Sequence, residues 1–106
     1  MDGVISAPFV ISHTHPAMPG HFPGTPVVPA VLILEAVSDV LSRYGGATAV
    51  TKFSRAKFLS ILKPDEIVNV TIKSKEYSSY SFVCEKEDGT KIVVGEFTAG
   101  ETYHAS

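Results

Sequence analysis

The feature that most constrains this chain is a change of backbone regime at residue 30. Five of its seven prolines, Pro16, Pro19, Pro23, Pro26 and Pro29, crowd the stretch just before it. Each fixes its own φ and pushes the residue before it towards an extended conformation. The stretch cannot be helical and should not be floppy, so a rigid loop is expected. From Ala30 to Tyr44 neither proline nor glycine intervenes, and Gly45-Gly46 then supplies a stop. A helix over Ala30–Tyr44 follows, with Pro29 suited to its first position, where a missing N–H costs nothing. Val31, Leu32, Ile33, Leu34, Ala36 and Val37 make its first half apolar nearly all round, so burial on most sides is expected there. In the more polar second half, Asp39 and Arg43 are spaced four apart to pair.

After this helix the period switches to that of strands. Val68, Val70 and Ile72 alternate with Asn69, Thr71 and Lys73, and Tyr80, Phe82 and Cys84 with Ser81, Val83 and Glu85. Asp88-Gly89 sits between two extended stretches, a strong hairpin signal, and predicts a return strand over about Lys91–Thr98. Thr48–Ile61 predicts another strand, and Lys63-Pro64-Asp65 a turn. Val4–Ser12, with Pro8 inside it, reads as an edge strand or an irregular lead-in. From Gly100 no pattern remains, and the tail with His104 is expected to fray. One helix covered on most sides needs a sheet that curls around it, so a single α+β domain over residues 1–106 is expected. Its open sheet edges would gain by pairing with a second copy.

Composition narrows the function classes. Of 106 residues, 44% are hydrophobic and 19% charged, a globular balance with room for one core. A net charge of −2 argues against a nucleic-acid binder. The single cysteine, Cys84, allows no internal disulfide, and Met1-Asp2-Gly3 carries no basic leader. Val27–Val40 is interrupted by Pro29, Glu35, Ser38 and Asp39, too polar to span a bilayer. A chain with no membrane association, in a reducing cytoplasm, is the expectation. No spacing of histidines and carboxylates on one element resembles a metal-ligand set.

Two residues remain that packing does not explain. His21 sits between Gly20 and Phe22-Pro23-Gly24, held just upstream of the helix, and an imidazole exchanges protons near neutrality. His13, His15 and His104 lack such a setting and read as surface or structural. Glu35 lies in an otherwise apolar run from Val31 to Val37, where partial desolvation would raise its pKa and suit a general acid. It also shares a stripe with Ser38, Asp39 and Ser42, so a merely solvated carboxylate reads equally well from spacing alone.

The continuous segment Gly20-His21-Phe22-Pro23-Gly24-Thr25-Pro26-Val27-Val28-Pro29-Ala30-Val31-Leu32-Ile33-Leu34-Glu35-Ala36 resembles the signature of the FabZ/FabA-like 3-hydroxyacyl-(acyl carrier protein) dehydratases. Weaker similarity follows in Phe53-Ser54-Arg55-Ala56-Lys57-Phe58, in Lys63-Pro64-Asp65 and in His15-Pro16. The chain departs from that pattern at Ala30, usually glycine, and at Asp39, usually glutamine in the FabZ-like branch. The resemblance implies the hotdog fold, an antiparallel sheet wrapped around one long central helix, and pairing of two subunits into a continuous sheet.

It further implies that His21 of one subunit faces Glu35 of the other. His21 would be the base and Glu35 the acid in removing water from a 3-hydroxyacyl thioester, giving the trans-2-enoyl thioester. The backbone N–H of Ala30 would steady the thioester oxygen. No cofactor is implied. The implied partner is an acyl carrier protein bearing the substrate on phosphopantetheine, in fatty-acid, polyketide or aryl-polyene-like biosynthesis. For docking that acidic partner, charge alone points to Arg55, Lys57 and Lys63. Two other functions compete: a hotdog acyl thioesterase, which would release free acid, and a non-catalytic acyl-binding subunit, which would bind without turnover.

Overall fold

The alternating segments of the second half become one antiparallel sheet. The computed structural model describes residues 3–18, 26–45, 48–76 and 78–101. Its elements are β1 (Val4–Val10), α1 (Ala30–Tyr44), β2 (Thr48–Phe58), β3 (Ile67–Ser74), β4 (Ser79–Lys86) and β5 (Lys91–Glu101). The five strands lie in the order β1-β3-β4-β5-β2, so β1 and β2 are the edges. Every pairing is antiparallel. The edge position of β1 explains how Pro8, in register with Asn69, sits inside a strand.

Helix α1 lies against β1, β2 and β3, so the sheet reaches it from both edges. This is the hotdog arrangement. Its core joins Leu32, Ile33, Val37, Val40 and Leu41 of α1 to Val68, Val70 and Ile72 of β3 and to Phe82 and Phe97 of β4 and β5. The alternation read in β3 and β4 therefore points the expected residues inward.

Several local expectations are corrected. Pro29 caps α1 instead of occupying its first position: its ψ of 144° is extended, and Ala30 is the first helical residue. Gly45 closes the helix without a left-handed turn, at φ −101°. Its need is proximity, since a Cβ there would lie 2.7 Å from the carbonyl oxygen of Leu41. In the apolar first half of α1, Leu32, Ile33, Ala36 and Val37 are buried and Leu34 is half-buried, while Val31, 59% exposed, and Glu35 face outward. Asp39 and Arg43 form no ion pair among the described residues.

Strand β2 ends at Phe58, short of Ile61, where the N–H groups of Leu59 and Ser60 turn to the carbonyl oxygen of Ile92. Strand β5 runs past Thr98, pairing Ala99, Gly100 and Glu101 with Val50, Ala49 and Thr48. The backbone at Gly100 is therefore laddered, while His104 lies outside the described residues. The Asp88-Gly89 turn closes β4 and β5 as expected, with Gly89 at φ 91° and the Lys86 N–H on the Thr90 carbonyl oxygen at 2.9 Å.

Candidate active site

The helical period sorts α1 into two faces. Leu32, Ile33, Ala36, Val37, Val40 and Leu41 are buried, and Val31, Leu34, Glu35 and Ser38 face the other way. That second face forms one wall of a groove of about 390 Å³ whose other wall is Val50, Thr51, Lys52 and Phe53 of β2. Glu35 thus stands on a groove of mixed apolar and polar lining between helix and edge strand. It is exposed and makes no hydrogen bond or ion pair among the described residues. The desolvation expected of it is not supplied by its own chain. Both readings made of Glu35 contain part of the result: the polar stripe with Ser38 exists, and so does the apolar wall.

The β2 wall is shaped by two breaks in its register against β5, between Val50 and Lys52 and between Phe53 and Arg55. At the first, Thr51 Oγ1 lies 3.1 Å from the carbonyl oxygen of Thr98 and 3.0 Å from its hydroxyl. Phe53 is half-buried, edge-on to Phe82 and Phe97 at centroid distances of 5.7 and 5.6 Å. Bulges of this kind re-aim side chains and cluster beside active sites. No signal in the alternation of Thr48–Phe58 singled out Val50–Phe53 as a groove wall.

Ala30 begins α1 and is exposed. Pro29 provides no side-chain cap, though its carbonyl oxygen accepts the N–H of Leu32 at 3.1 Å. Ala30 lines a second, almost wholly apolar groove of about 330 Å³ with Val27, Pro29, Ile33, Phe58 and Ile61. The two grooves flank the N-terminal half of α1, which carries both Ala30 and Glu35.

His21 lies outside the described residues, as do Gly20 and Phe22–Thr25. Of the three histidines read as surface or structural, His13 and His15 hold turns. Nδ1 of His15 accepts the N–H of Ala17 at 3.0 Å, which leaves the neutral ring's proton on Nε2. His13 is tied to Asp65 through both its backbone N–H and its ring.

Arg55 and Lys57 are brought together, and Lys63 is not. Val93, Phe97 and Ala99 of β5 are buried, whereas Val94 and Glu96 between them face outward. Arg55 pairs with Glu96 and Lys57 with Val94, which places both on the outer face of the sheet, in a groove of about 420 Å³. The Glu35 groove is on the helix side. Glu96 offsets part of that positive charge: the Lys75 ammonium holds its carboxyl below the usual range, and Arg55 adds to the effect. Lys63 instead sits in the turn before β3, its N–H on Glu66 Oε1 at 2.9 Å.

Burial pushes the Cys84 thiol up to about 12, which makes it an inert core residue. Among the described residues, no three histidine, cysteine or acidic side chains gather as a metal would require. No helix among them is long and apolar enough to cross a membrane.

Comparison with known proteins agrees with this architecture. The family model described as ApeI-like, ApeI dehydratase, matches residues 2–96. The 3-hydroxyacyl-[acyl-carrier-protein] dehydratase FabZ of Lactobacillus helveticus is 31% identical over 83 residues, 69% of this chain and 56% of that protein. The chain therefore spans little more than half the length of such relatives. Among solved structures, the dehydratase heterocomplex ApeI:P from Xenorhabdus doucetiae superposes with a TM-score of 0.75 at 17% identity, covering 93% of this chain and 88% of that one. A hypothetical thioesterase from Streptococcus pneumoniae with coenzyme A gives 0.68 at 12% identity, covering 99% and 83%. At those identities the structures share the fold.

Proposed function

The chain belongs to the ApeI-like dehydratase family, and on that premise we propose that it removes water from a 3-hydroxyacyl thioester carried on an acyl carrier protein. The observation that carries the reading is Glu35, a carboxylate facing a groove of about 390 Å³ lined by Val31, Leu34, Val50 and Phe53 together with Ser38, Thr51 and Lys52.

The chemistry requires a base at the α-carbon and an acid at the β-hydroxyl. His21 takes the α-proton, and the electron pair left behind forms the bond between the α- and β-carbons. The β-carbon–oxygen bond breaks as Glu35 delivers its proton to the departing hydroxyl, which leaves as water. Negative charge gathers on the thioester oxygen during α-proton loss. The N–H of Ala30, at the positive end of the helix dipole, stabilises it. The reverse sequence hydrates the enoyl thioester. No cofactor takes part in this scheme.

A second copy completes the site in this reading. Strand β2 is an open edge, and Val31 is 59% exposed on the same face as Glu35. Pairing two copies along β2 would cover the groove and shield Glu35 from water. His21 of one copy then serves Glu35 of the other. The acidic carrier protein docks on Arg55, Lys57 or Lys63, and the site of action is the cytoplasm.

A thioesterase is the second reading, favoured by the Ser38 and Thr51 residues that line the Glu35 groove and by the fold shared with thioesterase structures. Kinetics on variants separate the residues: His21→Ala and Glu35→Gln should each slow water loss by at least about a hundredfold, the usual worth of a general acid or base. Undiminished turnover in either removes that residue from the mechanism.

A further inference from the structure

The β2 wall of the Glu35 groove departs from the rule of a regular strand, in which successive side chains point to opposite faces and a wall takes every second residue. Here Val50, Thr51, Lys52 and Phe53 all line the groove. The two register breaks, between Val50 and Lys52 and between Phe53 and Arg55, bracket Lys52-Phe53 and make this possible. The bend is fixed on both sides of Lys52. Thr51 Oγ1 donates to the Thr98 carbonyl oxygen at 3.1 Å, and Phe53 is held edge-on to Phe82 and Phe97. The strand is therefore distorted at the point where it brings a cation to the wall opposite Glu35.

That cation has no carboxylate of its own. Among the described residues Lys52 makes no ion pair, whereas Lys75, Lys86 and Lys91 pair with Glu96, Glu66 and Glu85. The charged side chains lining the groove are Lys52 and Glu35. Asp39, one turn further along α1, lines a different groove together with Arg43. Ser38 and Thr51 add polar groups to the lining. A plain hydrocarbon chain laid along this wall would strip water from the Lys52 ammonium and return nothing, which is costly. A ligand group with anionic oxygens would return a charge-assisted contact.

We infer that Lys52 is a specificity-determining residue of this groove, pairing with an anionic oxygen group of the acyl thioester bound beside Glu35. The inference rests on the reading of the groove as the thioester site. Two parts of such a substrate carry that chemistry: a carboxylate at the far end of the acyl chain, and the phosphate of the phosphopantetheine arm. At about 390 Å³ the groove is at the small end of ligand sites, so a carboxylate held there belongs to a short chain.

The test uses the full chain with 3-hydroxyhexanoyl and 3-hydroxyadipyl thioesters, each on pantetheine and on phosphopantetheine. In the acyl pair or the arm pair, the anionic member should exceed the neutral one in kcat/KM by about tenfold, the worth of a hydrogen bond to a charged group. Lys52→Gln should bring that ratio close to one, and Lys52→Arg should keep it. Lys73→Gln removes the same charge from the outer face of β3 and should also keep it. The pair whose ratio collapses tells which part of the substrate carries the anion.

No preference in the wild type overturns the inference, as does a ratio that survives Lys52→Gln in both pairs. Proportional loss of rate on all substrates leaves the ratios intact and overturns it too, since Lys52 would then serve Glu35. An equal fall in Lys73→Gln does the same, by making net charge the cause. If Lys52→Gln does not fold, Lys52→Thr, suited to an edge strand, is read in the same way. If the wild-type chain dehydrates no thioester, the reading of the function fails by itself. Calorimetric binding of the corresponding saturated thioesters without the hydroxyl then judges Lys52. Tighter binding of an anionic member that is lost in Lys52→Gln supports the inference, and equal or absent binding overturns it.

Discussion

Gly95→Ala tests how closely β2 must approach β5 to build the Glu35 groove. Gly95 is in register with Ala56 on one side and Phe82 on the other. A Cβ added there would overlap the carbonyl oxygen of Arg55 and stand 2.8 and 2.9 Å from Cε1 and Cζ of Phe82. Neither neighbour can retreat easily. The Arg55 oxygen belongs to the backbone of a paired strand. Phe82 is 1% exposed and wedged between Phe53 and Phe97 at 5.7 and 5.8 Å. Overpacking of this kind costs about 1–3 kcal/mol, and loss of glycine's unfolded-state freedom returns about 0.5–1. Taking the upper part of that range, because backbone is involved, gives a net loss of about 2 kcal/mol. For a domain of this size that lowers Tm by roughly 8–16 °C. The chain has no tryptophan, so urea and thermal unfolding are followed by far-ultraviolet circular dichroism. Protomer concentration is held fixed, since association shifts apparent stability. A variant as stable as the wild type, within about 0.5 kcal/mol, would refute the close approach of β2 to β5.

The remaining predictions concern charge and pH. The Cys84 thiol, pushed up to about 12 by burial, should resist alkylation at pH 8 in the folded chain and react at once after unfolding. Because its folded pKa lies above the unfolded value, its contribution to stability is intact below about pH 8.5 and is lost as pH rises towards the folded value. The opposite sign holds for Glu66, Asp88 and Glu96, held below their ordinary 4.5, 3.8 and 4.5 by the Lys63 N–H, the Thr90 N–H and the Lys75 ammonium. Their contribution is present above those values and lost as pH falls below them, so unfolding midpoints measured from pH 6 to pH 3 should decline. Charge reversal in Arg55→Glu and Lys57→Glu should weaken carrier-protein binding at low salt and matter little at high salt. Binding that responds equally at both would make the outer groove ordinary surface.

Much of the fold was legible because local chemistry and tertiary packing agree. The bounds of α1 follow from Pro29 and Gly45, and the inward faces of β3 and β4 follow from strict alternation. The β4–β5 turn follows from Asp88-Gly89. What the sequence hid depends on long-range placement. The register breaks of β2 leave no mark in composition, yet they shape the wall opposite Glu35. Val31 departs from the burial expected on most sides of the helix's first half, because an apolar residue says that it prefers a partner without saying whether its own chain provides one. Likewise His13 and Asp65 are 52 positions apart, and no local pattern links them. Of the proposed site, the helical placement of Glu35 and Ala30 was readable while their roles came with the resemblance, and His21 lies outside the described residues.

Under the proposed function, this chain exchanges water, and not an acyl group, at the thioester. Mass spectrometry of a β-hydroxyacyl carrier protein incubated with the chain tests it most directly, run in both directions. Loss of one water with the acyl group still attached is expected, and gain of one water when the trans-2-enoyl thioester is supplied. Release of the acyl group to leave a free phosphopantetheine thiol would contradict it and assign hydrolysis instead. An unchanged mass in both directions would contradict it as well.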